Sequence, residues 1–472
     1  MVAPRSALLL TLLQVVIWSG TVQAETLKDA LTKAYLNNPA LEAQRAGLRA
    51  ADERVPQALS GFRPTITAFA EGGFKRIENN SDTILTQAGA NKNTDLTPYT
   101  LSGEIRQPIY RGGQTAAQTR AAENSVRQER ANLTTQEQNV LFDATTAYMD
   151  VFRDQSVLDL TIRNEQRLAR QLEATRDRFR VGEVTRTDVF QAEARLAQAT
   201  AERIRAEGQL DQSRADYRNV VGEAPGRLDK APMPEKMPTS LNATIEMGLS
   251  DNPRVHAAEY AEKQALDTVD QRYGALLPSL SAIGRAQRAV EEFNDDAKFD
   301  QFEAILRLDV PLYRAGSDYS QIREAKQRVA QQRRLIDQTR RDAIRAATQA
   351  WIGLETAQAQ VGSRRKQVEA NAVALEGVQR EAEVGARTVL DILNAEQELL
   401  TSQVDLVRSQ RDEIVSAYQV KTAVGELTAQ ALNLNVEYYN PAVHYDSVRN
   451  LWIGTSAPGD NSSDFDRPPA QR

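Results

Sequence analysis

The chain carries one sequence pattern twice, and any fold assigned to it must account for both copies. Residues 27–65 read like residues 241–279, and Asn38-Pro39 in the first stretch matches Asn252-Pro253 in the second. The copies lie roughly 200 residues apart, which is much longer than the unit of any solenoid repeat. We therefore expect two halves that share one architecture.

The match continues to the end of each copy. Further matched positions, with the first half given first, are Pro108 with Pro311, Gly182 with Gly385, Thr185 with Thr388, Asp188 with Asp391, and Glu193 with Glu396. Residues 224–240 are rich in proline and read as a linker. The predicted division is a first repeat over 25–223, the linker, a second repeat over 241–427, and a C-terminal segment with a disordered tail over 428–472.

Residues 1–24 have the features of a secretory signal peptide. Arg5 precedes an apolar run over 7–17, and small residues lead to a cleavage site after Ala24. The alternative is an N-terminal membrane anchor, but the run is too short to cross about 30 Å of hydrocarbon. We expect an exported protein.

The composition excludes several classes of site. The chain has no cysteine and two histidines, so no disulfide, lipid-modified N-terminal cysteine, zinc site or Cys/His nucleophile can be assembled. A net charge of −6 gives no indication of nucleic-acid binding. No Gly-rich phosphate loop in a βαβ context is present, so we expect neither an enzyme nor a cofactor.

Each half is predicted to begin with a helix, over about 25–59 and 241–275, with Thr26 and Asn242 as N-caps. Proline then ends the helical character, and alternating residues such as those over 301–310 predict strands. The strands form two hairpins, at 64–109 (about 64–76 with 98–109) and at 278–311 (about 278–290 with 299–311), with polar tips near 78–97 and 291–298.

Long helices are predicted over 114–181 and 317–384, with return helices over 185–222 and 388–425. Residues 114–179 contain neither proline nor glycine and would run about 100 Å as one helix. A seven-residue register follows Ala144, broken at Glu165, and its counterpart from Ala347 is unbroken. Such a register predicts a coiled-coil seam. A free-standing helical rod has the same pattern.

If this exported chain enters a membrane, it does so through its four amphipathic strands. A sheet of four strands has two open edges, and a membrane tolerates only closed barrels. Because known barrels begin at eight strands, one chain cannot close the wall. Two copies give eight strands and three give twelve, and only the larger number opens a channel. The sequence therefore predicts an oligomer.

The chain resembles the TolC family of outer-membrane efflux and secretion channels over about residues 25–438. The resemblance rests on the NNP and DNP motifs, on the QPIYRGG and VPLYRAG junctions, and on the tips at 179–196 and 382–400. It implies a mainly α fold with membrane β-strands: a tandem-duplicated TolC-like α/β-barrel, four strands per chain. Three chains would form a twelve-stranded barrel in outer-membrane lipid and a twelve-helix coiled-coil tunnel, with the C-terminal segment at its equator.

The family implies a periplasmic membrane-fusion adaptor and an inner-membrane ABC or proton-driven pump as partners. The chain would then be an exit duct for type I protein secretion or for small-molecule efflux, and the sequence leaves the cargo open. The absent N-terminal cysteine weighs slightly toward the unacylated, multi-purpose branch. The rival interpretation is a soluble periplasmic coiled-coil scaffold or adaptor protein.

The family also implies a gate at the helix tips. Its ring of inward carboxylates corresponds to Asp391, and its second ring position corresponds to the neutral Asn394. Its closing links correspond to Arg387 on the second tip with Thr187 and Asp188 on the first. A tyrosine of the family's latch is absent here, since that position is Ala382. The alternative for each charged residue is an ordinary solvated helix position.

Overall fold

The computed structural model describes residues 25–78, 93–292 and 297–456. Within these ranges the fold is mainly α-helical with a small antiparallel sheet, and both halves supply matching elements in the same order. No helix in the described ranges is long and apolar enough to cross a membrane. The predicted signal peptide, the middle of both hairpin tips and the predicted tail beyond residue 456 lie outside the described residues.

The long helices and return helices lie close to the positions expected from the sequence. The elements of the first half are α1 Leu27–Asn37, α2 Pro39–Asp52, α3 Arg54–Leu59, β1 Thr65–Gly72, β2 Lys75–Glu78, β3 Asn93–Leu96, β4 Tyr99–Arg111, α4 Gln114–Arg180 and α5 Arg186–Val221. Those of the second half are α6 Leu241–Ser250, α7 Pro253–Gly274, β5 Ser279–Val290, β6 Lys298–Asp309, α8 Ser317–Glu383 and α9 Val389–Ala423, followed by α10 Pro441–Val448.

The first helix of each half is interrupted at the Asn-Pro pair, so the prediction of one continuous helix there is wrong. Asn38 is extended, with φ −73° and ψ 119°, and its side chain accepts from the backbone N–H of Ala40 to cap α2. Asn252 caps α7 in the same way. The cause is local, because a residue before proline avoids the helical region and proline favours the first position of a new helix.

The two N-caps predicted for these first helices differ in outcome. Thr26 caps α1 through a capping box with Asp29, as predicted. In the second half Ser240 is the cap of α6, and its side chain accepts from the N–H of Ala243. Asn242 lies inside the first turn, so its prediction as the cap is wrong.

Each Asn-Pro break docks on the end of the return helix of its own half. The side-chain amide of Asn38 donates to the carbonyl of Val220 over 2.9 Å, and that of Asn252 donates to the carbonyl of Ala423 over 3.2 Å. Gly425, with φ +86°, packs so closely on this break that an added Cβ would lie 2.4 Å from a backbone oxygen. The repeated motif therefore joins the start of each half to its end.

The four main strands form one antiparallel sheet in the order β1-β4-β5-β6. The two halves meet in its middle, where β4 pairs with β5 and Glu104 lies opposite Arg285. In the described chain β1 and β6 each have one neighbour, so the sheet is open at both edges.

The first hairpin is divided, which the sequence did not predict. The strand expected over 64–76 is split into β1 and β2, and β2 pairs with β3 as a separate two-stranded sheet. On the other side Pro98 separates β3 from β4, and its carbonyl accepts from the N–H of Gly73 over 3.0 Å. Proline has no N–H to donate to a ladder, which accounts for the interruption.

The two faces of the four-stranded sheet differ in polarity. Phe302 and Leu306 on one face are 86% and 71% exposed. On the opposite face Glu104, Arg285 and Glu303 lie side by side in register, with ion pairs of 2.9 Å and 3.4 Å. Exposed apolar patches of this kind on a folded protein mark contact surfaces.

Each long helix packs against its return helix along the predicted seam. The buried seam residues are Ala144, Val151 and Leu172 in the first half, and Ala347, Leu354, Val361 and Leu375 in the second. Glu165, which breaks the register, accepts hydrogen bonds from Thr200 (2.6 Å) and Arg203 (2.7 Å) on α5. A polar cross-link thus replaces one apolar layer of the first coiled coil.

The largest core lies at the level where the linker and the C-terminal segment wrap around α4 and α5. Tyr148 is fully buried there, and its hydroxyl lies 2.8 Å from the carbonyl oxygen of Glu25 and 2.6 Å from that of Asp229. The hydroxyl of Tyr217 donates to the Glu25 carboxylate over 2.9 Å. These bonds fix the start of the first repeat and the linker to the helical hairpin.

Candidate functional site

The predicted site residues lie at the two helix tips, where each long helix turns into its return helix. Gly182 and Gly385 have φ of +81° and +76°, the left-handed conformation that ends a helix. Beyond each glycine the chain turns within a few residues, and Thr185 and Thr388 cap α5 and α9 as predicted. Both tips therefore have the same backbone construction.

Asp188 and Asp391 occupy equivalent positions in these caps. The Oδ2 atom of Asp391 accepts from the backbone N–H of Thr388 over 3.0 Å and from its hydroxyl over 2.8 Å. Asp188 makes the same two bonds to Thr185, each 2.8 Å. Each aspartate completes a capping box, in which N-cap and N3 residues satisfy each other's backbone donors.

Asp391 remains ionised at neutral pH. The backbone and side-chain hydrogen bonds from Thr388, together with the charge of Arg387, hold its pKa below the usual range for an aspartate. The residue is partly exposed at the tip. Asp391 therefore supplies a fixed negative charge at the place where the sequence predicts the ring.

Arg387 pairs within its own tip. Its Nε donates to the carboxylate of Glu381 over 2.7 Å, with both side chains about half exposed. Within the described part of a single chain, Arg387 makes no ion pair with Asp188 and no hydrogen bond with Thr187. The described part of one chain therefore does not bring the predicted linking residues together.

Asn394 lies one turn beyond Asp391 and bridges the two halves. Its Oδ1 accepts from the guanidinium of Arg195 on α5 over 2.8 Å. Apolar residues continue this contact between the two helical hairpins, namely Leu168 and Ala199 of the first half with Val389 and Leu393 of the second. The two tips of one chain are thus joined directly above the predicted ring.

Glu396 is a buried carboxyl at the same level that the sequence analysis missed. It is 5% exposed and its Oε2 has no hydrogen-bond partner among the described residues. Burial raises its pKa, and the charge of Arg167 on α4 opposes that shift only in part. Burial thus disfavours the charged form of this carboxyl relative to an exposed glutamate.

A comparison of the two halves contains the signal for Glu396. Its counterpart Glu193 pairs with Arg176 over 2.5 Å. The position that matches Arg176 in the second half is Gln379. Glu396 therefore has no arginine at the position where Glu193 has Arg176. The cation nearest to it in charge interaction is Arg167, on α4 of the other hairpin.

A comparison with known protein families identifies the family of this chain. The family described as outer membrane efflux protein matches residues 30–223 and 244–426, which are the two repeats. The chain belongs to the outer membrane efflux protein family. It is therefore an outer-membrane channel protein of the efflux and secretion type, with a TolC-like fold, and not an enzyme.

Individual members of this family support the assignment along nearly the whole chain. The chain is 35% identical to the outer membrane efflux protein BepC of Brucella suis, over 94% of this chain and 96% of BepC. It is 26% identical to the outer membrane protein TolC of Vibrio cholerae, over 87% and 93%. The solved structure of the CmeC outer membrane channel of Campylobacter jejuni has a TM-score of 0.74 at 16% identity, covering 84% and 85%.

Proposed function

We propose that the chain is the outer-membrane exit duct of a tripartite export system, gated at the helix tips. The observation that carries the proposal is the open four-stranded sheet with one exposed apolar face and one charged face. Unpaired strand edges in a membrane leave backbone groups without partners, so copies of the chain must pair edge to edge. The apolar face then meets lipid and the charged face lines the pore.

A trimer fits this requirement. Three chains supply twelve strands, whereas two chains supply eight, and an eight-stranded barrel is filled by its own side chains. The paired helices of each chain then continue the pore as a tunnel of twelve helices into the periplasm. The rival scaffold protein would not need the apolar sheet face, and the family assignment disfavours it.

The gate follows from the threefold arrangement of the tips. Three copies of Asp391 converging on one axis make a ring of like charges that attracts cations. In this arrangement Arg387 of one copy would bind Thr187 and Asp188 of the next copy in place of its partner Glu381. Because an exposed pair contributes at most about 1 kcal/mol, the gate closes through several such links together.

A passive duct does not drive transport by itself, so it needs partner proteins that supply energy and cargo. We infer that a periplasmic membrane-fusion adaptor and an inner-membrane ABC or proton-driven pump deliver the cargo. BepC is an outer membrane efflux protein, and this similarity favours efflux as the route. Protein secretion remains the second candidate cargo class, and a transport assay with each pump distinguishes the two.

Single-channel recording in planar bilayers tests the duct and its gate. We expect the purified protein to form long-lived pores of low conductance. Arg387→Ser with Asp188→Asn removes the linking charges, keeps an oxygen for the Thr185 cap, and is expected to raise the conductance several-fold. Asp29→Asn, which alters an equivalent capping box far from the tips, is the control. Failure of the purified oligomer to form pores contradicts the duct, and an unchanged conductance in the double variant contradicts the gate.

A further inference from the structure

The C-terminal segment runs along α4 from the main core toward the strands. The N–H of Ala429 donates to Glu137 over 2.7 Å, and Arg449 reaches Glu123 over 3.1 Å. Glu137 and Glu123 are about 20 Å apart along a helix that rises 1.5 Å per residue. The segment therefore runs along α4 toward the point where α4 meets β4.

The C-terminal segment ends, within the described residues, beside the first residues of the sheet. The guanidinium of Arg63 donates to the carbonyl of Leu451 over 2.7 Å and lies 4.8 Å from the ring centre of Trp452. Arg63 is separated from β1 by Pro64 alone. Trp452 is therefore held at the level where the helices become strands.

Trp452 is held by Arg63, and both Trp452 and its neighbour Ile453 expose their apolar surface. Trp452 is 65% exposed and Ile453 is 90% exposed. Arg63 thus fixes the backbone at Leu451 and the ring of Trp452, and yet the exposed side chains are not buried by any described residue. A cation stacked on one side of an indole leaves its other side and edge free for a second surface.

The surrounding surface has the same character. Other exposed apolar side chains lie at this end of the sheet, namely Phe62, Ile109, Tyr110, Leu312 and Tyr313. The side chain of Gln107 on β4 donates to the carbonyl of Phe62 over 3.0 Å, which fixes that turn against the sheet. Aromatic residues with neighbouring arginines are typical of the boundary between lipid headgroups and acyl chains.

We propose that Trp452 and Ile453 form a membrane anchor that inserts at the periplasmic surface of the outer membrane, held there by Arg63. The inference rests on the proposed function, since the sheet must be the membrane wall. The occupant is phospholipid, because Gln107, which holds the Phe62 turn beside Arg63, lies in register with Ala282 and Leu306 on the apolar face of the sheet. The patch also combines indole, aliphatic and guanidinium groups, which suit the headgroup boundary. The C-terminal segment thereby fixes the depth at which the helical region stops below the membrane.

Single-tryptophan fluorescence tests the anchor in the oligomer reconstituted in phospholipid vesicles. The sequence has three tryptophans, and Trp18 lies in the predicted signal peptide. Trp351→Phe therefore leaves Trp452 as the reporter in the processed chain. Lipids brominated near the headgroup end of the acyl chain are expected to quench its emission by at least about half, because indole rings at this boundary lie in contact with lipid.

Two further variants make the result decisive. Trp452→Phe leaves Trp351, which lies in α8 about 50 Å from the strands and is expected to be unquenched. Phe302→Trp in a background lacking both tryptophans reports on the sheet face itself. Quenching at position 302 without quenching at Trp452 overturns the anchor and leaves the duct intact. If neither position is quenched, the proposed function is overturned as well. If Trp452 is quenched neither by brominated lipid nor by aqueous iodide, the anchor is wrong and the patch is a protein contact.

Discussion

At the residue scale, one side chain at the tip combines an observed cap with a proposed role in the gate. Asp391 completes the capping box of α9 and also supplies the charge expected for the ring. Asp188 completes the same box in the first half. The cap alone thus explains why both tips carry an aspartate here, and a test of the ring must preserve the cap.

Asp391→Asn separates these tasks. The amide oxygen still accepts from Thr388, while the ring loses three charges in a trimer. We expect block of the pore by a trivalent cation such as hexaamminecobalt to weaken by roughly tenfold or more, because the binding is electrostatic. Titration of the blocker in planar bilayers measures this, with Asp29→Asn as the matched cap variant. Equal block in wild type and Asp391→Asn excludes Asp391 from the ring.

Glu396 gives a prediction on pH. Its pKa is higher in the folded chain than in the unfolded chain, so the folded chain binds this proton more tightly. As the pH rises above about 4.5, this residue therefore lowers the free energy of unfolding. Glu396→Gln removes the effect and is expected to stabilise the protein by about 1 kcal/mol at pH 7. Thermal unfolding followed between pH 4.5 and 8 is expected to show a flatter dependence for this variant.

The control for that series is Glu193→Gln at the matched position of the first half. Glu193 is ion-paired to Arg176 and has a more exposed side chain. Its replacement therefore removes a favourable pair and not a buried carboxyl. A pH dependence that stays the same after Glu396→Gln rules out a buried, titrating Glu396.

At the element scale, the Asn-Pro pair does more than break a helix. The side-chain oxygen of its asparagine caps α2 or α7, and the side-chain amide donates to a carbonyl in the last turn of the return helix. Asn440-Pro441 starts α10 with the same cap, but in the described residues its amide donates no hydrogen bond. The chain thus contains a cap with the tertiary contact and a cap without it.

Asn252→Asp is expected to cost about 2 kcal/mol. The carboxylate still caps α7, but it sets a negative charge against the carbonyl of Ala423 at the negative end of α9. Hydrogen exchange is expected to rise at the C-terminal turn of α9. Asn440→Asp is the matched control and is expected to be nearly neutral. Equal destabilisation by both changes indicates that only the cap matters.

At the scale of the whole molecule, the open sheet determines how copies assemble. Every neighbouring pair of strands is antiparallel, so β1 and β6 run in opposite directions and can pair between copies. In the proposed pore the charged face would lie inside and the apolar face outside. Pairing of the open edges would then hold the copies together in the membrane layer.

Engineered cysteines test this pairing without background, since the chain has none. We expect Ala68→Cys on β1 to cross-link with a cysteine at one or two positions among 302, 304 and 306 on β6. Oxidation is expected to yield linked dimers and trimers on denaturing gels, because disulfides form only over short Cα separations. Cysteine at Glu303 or Ile305 points to the other face and is the control. A ladder that ends at the dimer contradicts the trimer.

Local patterns in the sequence were sufficient for much of this fold. The duplication, the threonine caps at 26, 185 and 388, and the coiled-coil seam depend on residues close together in the chain, where capping and helical periodicity act. The position of the tips and the presence of Asp391 there followed from the same signals. The family and the outer-membrane location followed from the repeated motifs.

The tertiary structure decided the features that depend on distant residues. Asn38 and Val220, Asn394 and Arg195, and Glu396 and Arg167 come together only when the helices pack. The division of the first hairpin and the climb of the C-terminal segment to Arg63 also depend on packing. The physical reason is that hydrogen bonding and burial between separate elements depend on their positions in space, which a periodic pattern along the chain does not encode.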